Sequence, residues 1–158
     1  MPHIHEKIDF TAEVFVVYKD KVLLRKHDKY GVWISVGGHV ELDEDPNQAA
    51  IREVKEEVGL DITLVDTRAT KSSLKDYQEL IPPAFMNRHR INNTHEHVTL
   101  TFFGVATTDN ITNSSIEKSE DLKWLAAEEL DDRTYALPEH VKFYAKAALS
   151  VAEKNRET

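Results

Sequence analysis

Several ingredients of common protein classes are missing from this sequence. Its 158 residues include no cysteine, which excludes disulfides, thiolate zinc sites, iron–sulfur clusters and cysteine nucleophiles. Its apolar runs, such as residues 14–17, fall far short of the ~20 residues that cross a bilayer. The N-terminal residues contain no apolar signal core. We therefore expect a cytoplasmic protein without a membrane partner.

Positive charge is also scarce. The chain has 20 lysines and arginines against 28 aspartates and glutamates, which gives a net charge of -8. A protein whose main ligand is a nucleic-acid backbone normally presents a basic face, so we expect no stable nucleic-acid binding. An acidic protein can still act on phosphates, provided that cations act as intermediaries.

The remaining composition suits a folded α/β protein. Hydrophobic residues make up 41% and charged residues 30%, which is typical of globular proteins, and the length predicts one domain over residues 1–158. The first two predicted strands form a hairpin, the pair Gly37-Gly38 is expected to break the backbone, and a long loop is predicted at residues 71–96. Strands are predicted at residues 10–18, 22–24, 32–36, 61–69, 97–107 and 121–125.

Two helices are predicted, which together with the strands imply a layered α/β domain. The clearer one is Pro46–Val58, because Asp45 can cap it, Gln48 completes a capping box and Gly59 can end it. The other begins near Pro138. Its apolar stripe consists of Val141, Ala145, Ala148 and Ala152.

The first helix has a charged face. Ile51, Val54 and Val58 fall on the opposite side, which is the predicted core face. Carboxylates three and four residues apart repel one another by a few tenths of a kcal/mol, unless a divalent cation lies among them. Oxygen ligands favour Mg²⁺ or Mn²⁺ over zinc, although a solvated face is the plain alternative. The charged face gathers three carboxylates and one guanidinium, those of Arg52, Glu53, Glu56 and Glu57.

The helix belongs to a longer spaced pattern. The pattern consists of Gly38, five residues, Glu44, seven residues, and then the sequence REVKEEVGL at residues 52–60. Every specified position of the Nudix hydrolase signature is filled at the correct spacing, and the chain therefore resembles this MutT-like family. The resemblance implies an α/β/α sandwich with a mixed β-sheet. The order of the predicted elements is compatible with that fold.

The resemblance also implies an activity. Nudix hydrolases cleave a diphosphate bond in a nucleoside diphosphate linked to another moiety, and they use Mg²⁺ or Mn²⁺ to activate the attacking water. The implied partner is a small nucleotide-type substrate, and a homodimer is left open. A non-catalytic nucleotide sensor is the alternative, but such proteins typically lose signature glutamates that this chain retains. An isoprenoid diphosphate isomerase is disfavoured, because those enzymes rely on a cysteine.

Individual roles follow from matching positions in the signature. Glu56 and Glu57 match the principal metal-binding glutamates, and Glu53 matches the one that completes the metal site or orients water. Arg52 matches the arginine that fixes a glutamate, and Glu44 would brace the loop. The general base is not assigned among the glutamates. The implied catalytic residues are Arg52, Glu53, Glu56 and Glu57, and the implied metal ligands are Glu53, Glu56, Glu57 and the Gly38 carbonyl.

Further residues are candidates for contacting the substrate. Gly37 and Gly38 would let the backbone approach the phosphate, His39 follows them, and Glu41 completes a Gly-Gly-x-x-Glu arrangement common in the family. Tyr77 lies seventeen residues after Leu60, near an offset that the family associates with dinucleoside polyphosphate hydrolysis. A local hydrogen bond is the alternative for His39, and a common loop tyrosine for Tyr77.

Glu96 is a candidate for an additional acidic ligand or base outside the signature, or else it caps a strand in solvent. It lies between His95 and His97, which would share the opposite face of the strand. No third histidine or thiolate follows at a telling spacing, so a zinc site is disfavoured. Residues 88–90 form a basic cluster in the predicted long loop, where it could meet a substrate phosphate or form a solvated loop tip.

Overall fold

The computed structural model describes residues 4–68, 73–112 and 122–157. Two helices lie in these ranges, α1 (Pro46–Val58) and α2 (Glu139–Glu157), and a short 3₁₀ turn spans Ala127–Asp131. Neither helix is long and apolar enough to cross a membrane. The strands of the described residues are β1 (Ile8–Tyr18), β2 (Lys21–Lys26), β3 (Trp33–Ile34), β4 (Val36–His39), β5 (Ile62–Leu64), β6 (Ser73–Leu74), β7 (Tyr77–Gln78), β8 (Phe85–Arg90), β9 (Glu96–Ala106) and β10 (Leu122–Ala126).

Strand β1 lies at the centre of a mixed sheet. It runs parallel to β9, from Ile8 opposite Glu96 to Val17 opposite Val105. It pairs antiparallel with β2 and, further along, with β4. The order across the sheet is β10-β2-β1-β9-β5, while β3 pairs with β2, β8 pairs with β9, and β6 and β7 form a separate ribbon. The predicted hairpin is confirmed, and the central strand is long enough to touch both helical layers.

The two faces of β1 build two cores, because successive strand residues point to opposite sides. Val14 and Val16 pack in a buried cluster with residues of α1, whereas Phe15 and Val17 pack in a second cluster with residues of α2. One helix therefore covers each face of the sheet, which confirms the predicted α/β/α sandwich. The predicted stripe of α2 is buried in the second cluster, at Val141, Ala145, Ala148 and Ala152.

Helix α1 begins and ends as predicted. The Asp45 carboxylate accepts the Gln48 backbone N–H at 2.9 Å, and the Gln48 side chain accepts the Asp45 N–H at 2.9 Å. Gly59 follows the helix in the left-handed conformation, with φ of 71°. The predicted core face is wrong at one position, because Ile51 is 43% exposed. Ala49 and Ala50 are buried instead, so the buried face of the helix does not include Ile51.

Other segments also differ from their predictions. Gly37 and Gly38 do not break the backbone but pair with β1, opposite Glu13 and Ala12. The predicted loop at residues 71–96 contains three strands, of which β8 is mostly exposed and so has no apolar alternation to reveal it. Strand β5 is shorter than predicted. Residues 69–72 and 121, which those predictions include, lie outside the described residues.

Candidate active site

Arg52 organises the charged face of α1. Its Nε and Nη2 groups donate to the two oxygens of Glu44, at 2.9 and 2.6 Å. Its Nη1 group donates to Glu53 Oε1 at 2.9 Å and to Glu56 Oε2 at 3.0 Å, and Nη2 also donates to the His39 carbonyl at 3.0 Å. These contacts use all five N–H donors of a guanidinium. Hydrogen bonding to Glu44, the largest cause, raises the pKa of Arg52 above its usual value.

Glu44 ties the loop before α1 to the helix. Its Oε1 atom accepts the Glu41 backbone N–H at 2.9 Å. Both carboxylate oxygens of Glu44 also accept hydrogen bonds from the Arg52 guanidinium. The hydrogen bond from Arg52 lowers the pKa of Glu44. Glu44 therefore has the bracing contacts that the resemblance implies for it.

Glu53 lies against strand β4. Its side chain is buried, and burial raises the pKa of Glu53 even though Arg52 donates to it. A Cβ on Gly38 would lie under 3.0 Å from the Glu53 carboxylate. Glycine at position 38 is therefore what allows Glu53 to approach the strand so closely.

Glu57 points toward β2 rather than toward Arg52. Its Oε2 atom lies 3.3 Å from Arg25 Nε and 3.4 Å from the Gly37 backbone N–H. Its side chain is 22% exposed, and burial raises its pKa to about 7 despite the charge of Arg25. Glu56, by contrast, is 60% exposed. The three glutamates thus occupy three different environments on one helix face.

The donor set fits a hard divalent cation. The donor set consists of carboxylate oxygens. Glu57 is largely buried, and the positive charge of one arginine offsets only part of the cost of burying its negative charge. In the described part of the chain, the carboxylates of Glu53, Glu56 and Glu57 do not all lie within 4.8 Å of one another. Arg52 lies between the first two, and Glu57 turns to Arg25. The helix therefore places the predicted ligands on one face, but their carboxylate oxygens do not point to one common position.

Comparison with known proteins identifies the family. A family model described as the NUDIX domain matches residues 9–147. The chain belongs to the NUDIX family. A solved NUDIX hydrolase from Clostridium perfringens is 34% identical, with a TM-score of 0.81 over 91% of this chain and 97% of that one. The resemblance inferred from residues 38–60 is therefore confirmed and extends over most of the chain.

Two further proteins are similar to this chain. The dihydroneopterin triphosphate diphosphatase of Haemophilus influenzae is 37% identical in an alignment of 106 positions that covers 55% of this chain and 64% of that protein. A MutT protein from Bacillus halodurans is 19% identical with a TM-score of 0.59, over 89% of this chain and 82% of that one, and it supports the fold alone.

The remaining predicted site residues of this NUDIX protein lie apart from the glutamates. The imidazole of His39 points to Asp9, with 3.2 Å between Nε2 and Oδ2, although its carbonyl accepts from Arg52. Glu41 and Tyr77 are exposed, the latter on β7. Glu96 accepts from Arg88 Nε at 2.8 Å, and this contact lowers the pKa of Glu96. Their roles toward a substrate stay predictions.

The basic cluster at residues 88–90 is not at a loop tip. It lies on β8, where Arg88 and Arg90 face β9, and Arg90 pairs in register with Glu96. Arg88 is engaged by the Glu96 carboxylate through both its Nε and its Nη2 group. The strand pairing explains the difference, because it places an acidic partner beside the cluster.

Sequence reasoning missed two charged side chains of the sheet, one that faces the glutamates and one on the opposite face. The first is Arg25, whose charge faces Glu57 from β2. The second is Glu13, whose carboxylate accepts from Ser35 Oγ at 2.5 Å and from Thr101 Oγ1 at 2.6 Å. Polar residues at every second position early in β1, an otherwise apolar strand, were the available signal for Glu13.

A third feature is a group of imidazoles around one buried carboxylate, which we name the Asp9 cluster and define as Asp9, His39, His95 and His97. Asp9 is 1% exposed and His95 is 3% exposed. Burial, the largest cause, and the neighbouring histidines lower the pKa of His97 to about 4. The predicted pair His95 and His97 thus has a third histidine beside it, His39, which lies on β4 and is far away in sequence.

Proposed function

We propose that this NUDIX protein is a divalent-metal-dependent pyrophosphohydrolase that cleaves a diphosphate bond in a nucleoside diphosphate linked to another moiety. The observation that carries this proposal is the use of all five Arg52 donors to hold Glu44, Glu53, Glu56 and the backbone of β4 together. A merely solvated helix face needs no such bracing, whereas a metal site requires ligands held in a fixed arrangement.

Glu53, Glu56, Glu57 and the Gly38 carbonyl are the proposed ligands of Mg²⁺ or Mn²⁺. Such an ion, when bound, would neutralise the phosphate oxygens and lower the pKa of water toward neutrality. The chain itself contributes the positions of the ligands. Arg52 holds Glu53 and Glu56, and Arg25 holds Glu57 on the same side of β4.

The proposed chemistry is direct attack of water on phosphorus. The bond from phosphorus to the bridging oxygen breaks, and a carboxylate of the α1 face accepts the proton of the water. No covalent intermediate is formed. Neither cysteine nor a paired serine and histidine is needed, and the chain contains no cysteine.

The name of the Haemophilus influenzae relative supports a substrate in which a phosphate chain is linked to a bulky heterocycle. The test is a panel of nucleoside triphosphates, nucleotide sugars, dinucleoside polyphosphates and dihydroneopterin triphosphate, assayed with and without Mg²⁺. Product identification locates the bond that breaks, and ¹⁸O-labelled water identifies the phosphorus attacked.

Glu57→Gln is the informative variant, and Glu128→Gln is the matched control, because Glu128 is an exposed glutamate outside α1. We expect turnover by the wild type and the control, and its loss in Glu57→Gln. If the wild type binds nucleotides tightly but turns over none of the panel, the protein is a sensor and the proposal is wrong.

A further inference from the structure

The Asp9 cluster lies on the sheet face that α2 covers further along. Asp9 comes from β1, His39 from β4 and His97 from β9, and His95 lies directly before β9. The pairing of β1 with both neighbours brings them together, since Asp9 is opposite His97 and Thr11 is opposite His39. One ligand atom from each of Asp9, His95 and His97 lies within 4.8 Å of the other two.

The distances in the cluster match the separation of two ligands around one metal ion. Asp9 Oδ2 lies 3.2 Å from His39 Nε2 and 3.3 Å from His95 Nε2. The Asp9 carboxylate also accepts the His5 backbone N–H at 2.7 Å and the Ile4 backbone N–H at 3.2 Å, which hold it in place. Two ligands bonded at about 2.0–2.1 Å to one tetrahedral ion are separated by about 3.3 Å.

The orientation of His95 points the same way. Its Nδ1 lies 3.0 Å from the Glu6 carbonyl oxygen, and a carbonyl can only accept, so Nδ1 carries the proton. Its other nitrogen, Nε2, lies 3.3 Å from Asp9 Oδ2, where one ion could bind both atoms. A backbone carbonyl that fixes the far nitrogen is the usual support of a metal-binding histidine.

We propose that the Asp9 cluster is a second metal site, which binds a zinc-class transition-metal ion through Asp9, His95 and His97, while His39 contacts Asp9 beside the site. Imidazole nitrogens suit Zn²⁺, whereas the carboxylates of α1 suit Mg²⁺. The bound ion joins β1 to the start of β9 at one end of the sheet. The proposal of this second site is independent of the proposed function, because none of the ligands of the second site comes from α1.

The test uses chelator-stripped protein titrated with Zn²⁺ in competition with a chromophoric chelator, followed by metal analysis after desalting. We expect about one Zn²⁺ per chain in the wild type and in Glu57→Gln. We expect at least a tenfold weaker affinity in His95→Gln and in His97→Gln, with His140→Gln as the matched control because His140 is exposed on α2. Zn²⁺ should raise the melting temperature of Glu57→Gln but not that of His95→Gln.

Circular dichroism checks that the variants are folded. If His95→Gln does not fold, the less buried His97→Gln carries the comparison. Substitution of Co²⁺ for Zn²⁺ adds an independent readout, because the visible absorption of Co²⁺ changes when the ion binds in a tetrahedral, nitrogen-rich site. Failure of the wild type to bind Zn²⁺ overturns the proposal, as does Zn²⁺ binding that is lost in Glu57→Gln and kept in both histidine variants.

Discussion

The glutamate face of α1 and the Asp9 cluster are two sets of ligand-type side chains built in opposite ways. The first takes its side chains from little more than one turn of a single helix, together with Glu44 eight residues before Arg52. The second takes its side chains from three strands and spans most of the sequence. The first is visible as a spacing, whereas the second exists only once β1 has paired with both neighbours.

The two sets also differ in how their charge is balanced. Four carboxylates on and before α1 share two guanidiniums, those of Arg52 and Arg25. In the Asp9 cluster one buried carboxylate faces three imidazoles. An excess of oxygen donors suits a hard cation, and an excess of nitrogen donors suits a transition metal. The two regions therefore predict two separable metal dependences.

The largest effect is expected on catalysis. Glu57→Gln should lower kcat on the best substrate by on the order of 10²–10³, because it removes a charged ligand and a proton acceptor. His97→Gln should lower kcat less than about tenfold, since His97 belongs to the other set. Steady-state kinetics at saturating Mg²⁺ measures both. Equal losses in the two variants would show that the clusters act as one unit.

Loss of Arg52 should be the largest effect on stability. Arg52→Ala leaves the buried Glu53 without its guanidinium and frees the loop that Glu44 braces, so we expect a loss of about 2–4 kcal/mol in the free energy of unfolding. Arg52→Lys should recover only part of it, because an ammonium group lacks the planar fork. Urea unfolding measures both variants. A fully stable Arg52→Ala would mean that the bracing contacts are not needed for folding.

The sequence predicts the glutamate face well because every step is local. The capping box, the terminal Gly59 and the arc of Arg52, Glu53 and Glu57 depend only on helix geometry. Which carboxylate is buried could not be predicted, because it depends on the distance between α1 and β4. The same distance decides that Ile51 is exposed, although its hydrophobicity suggests the core.

The Asp9 cluster could not be predicted because it depends on strand register. His95 and His97 are close in sequence, but their partners Asp9 and His39 come from strands whose order no local pattern specifies. Strand β8 was missed for a related reason. It is largely exposed, so its alternation is hidden, and β9 supplies its pairing.

The adjacent glycines of β4 should give a smaller and asymmetric effect. A Cβ on Gly37 would lie under 3.0 Å from the Ala12 carbonyl oxygen, so Gly37→Ala should lower the free energy of unfolding by about 1–3 kcal/mol. A Cβ on Gly38 would meet the Glu53 carboxylate, which can rotate away. Gly38→Ala should therefore lower activity more than stability. Chemical unfolding and kcat distinguish the two, and equal stability losses would contradict the assignment.

The smallest effect is the pH dependence of stability in the presence of a chelator. Burial raises the pKa of Glu57 to about 7 in the folded protein, above its value in the unfolded chain. The protonated carboxyl group therefore stabilises the folded protein fully below about pH 4.5, and this stabilisation is lost as the pH rises through 7. Glu57→Gln should thus be more stable than the wild type at pH 8, by about 1–2 kcal/mol, and equal to it at pH 5.

The matched control for this pH series is Glu128→Gln, because Glu128 is exposed and lies outside the glutamate face. Thermal unfolding with EDTA, repeated with saturating Mg²⁺, separates burial from metal binding. With Mg²⁺ the sign of the difference at pH 8 should reverse, since only the wild-type carboxylate can bind the ion and gain stability from it. If the order of the two proteins is the same with and without Mg²⁺, Glu57 is a buried structural carboxylate rather than a ligand.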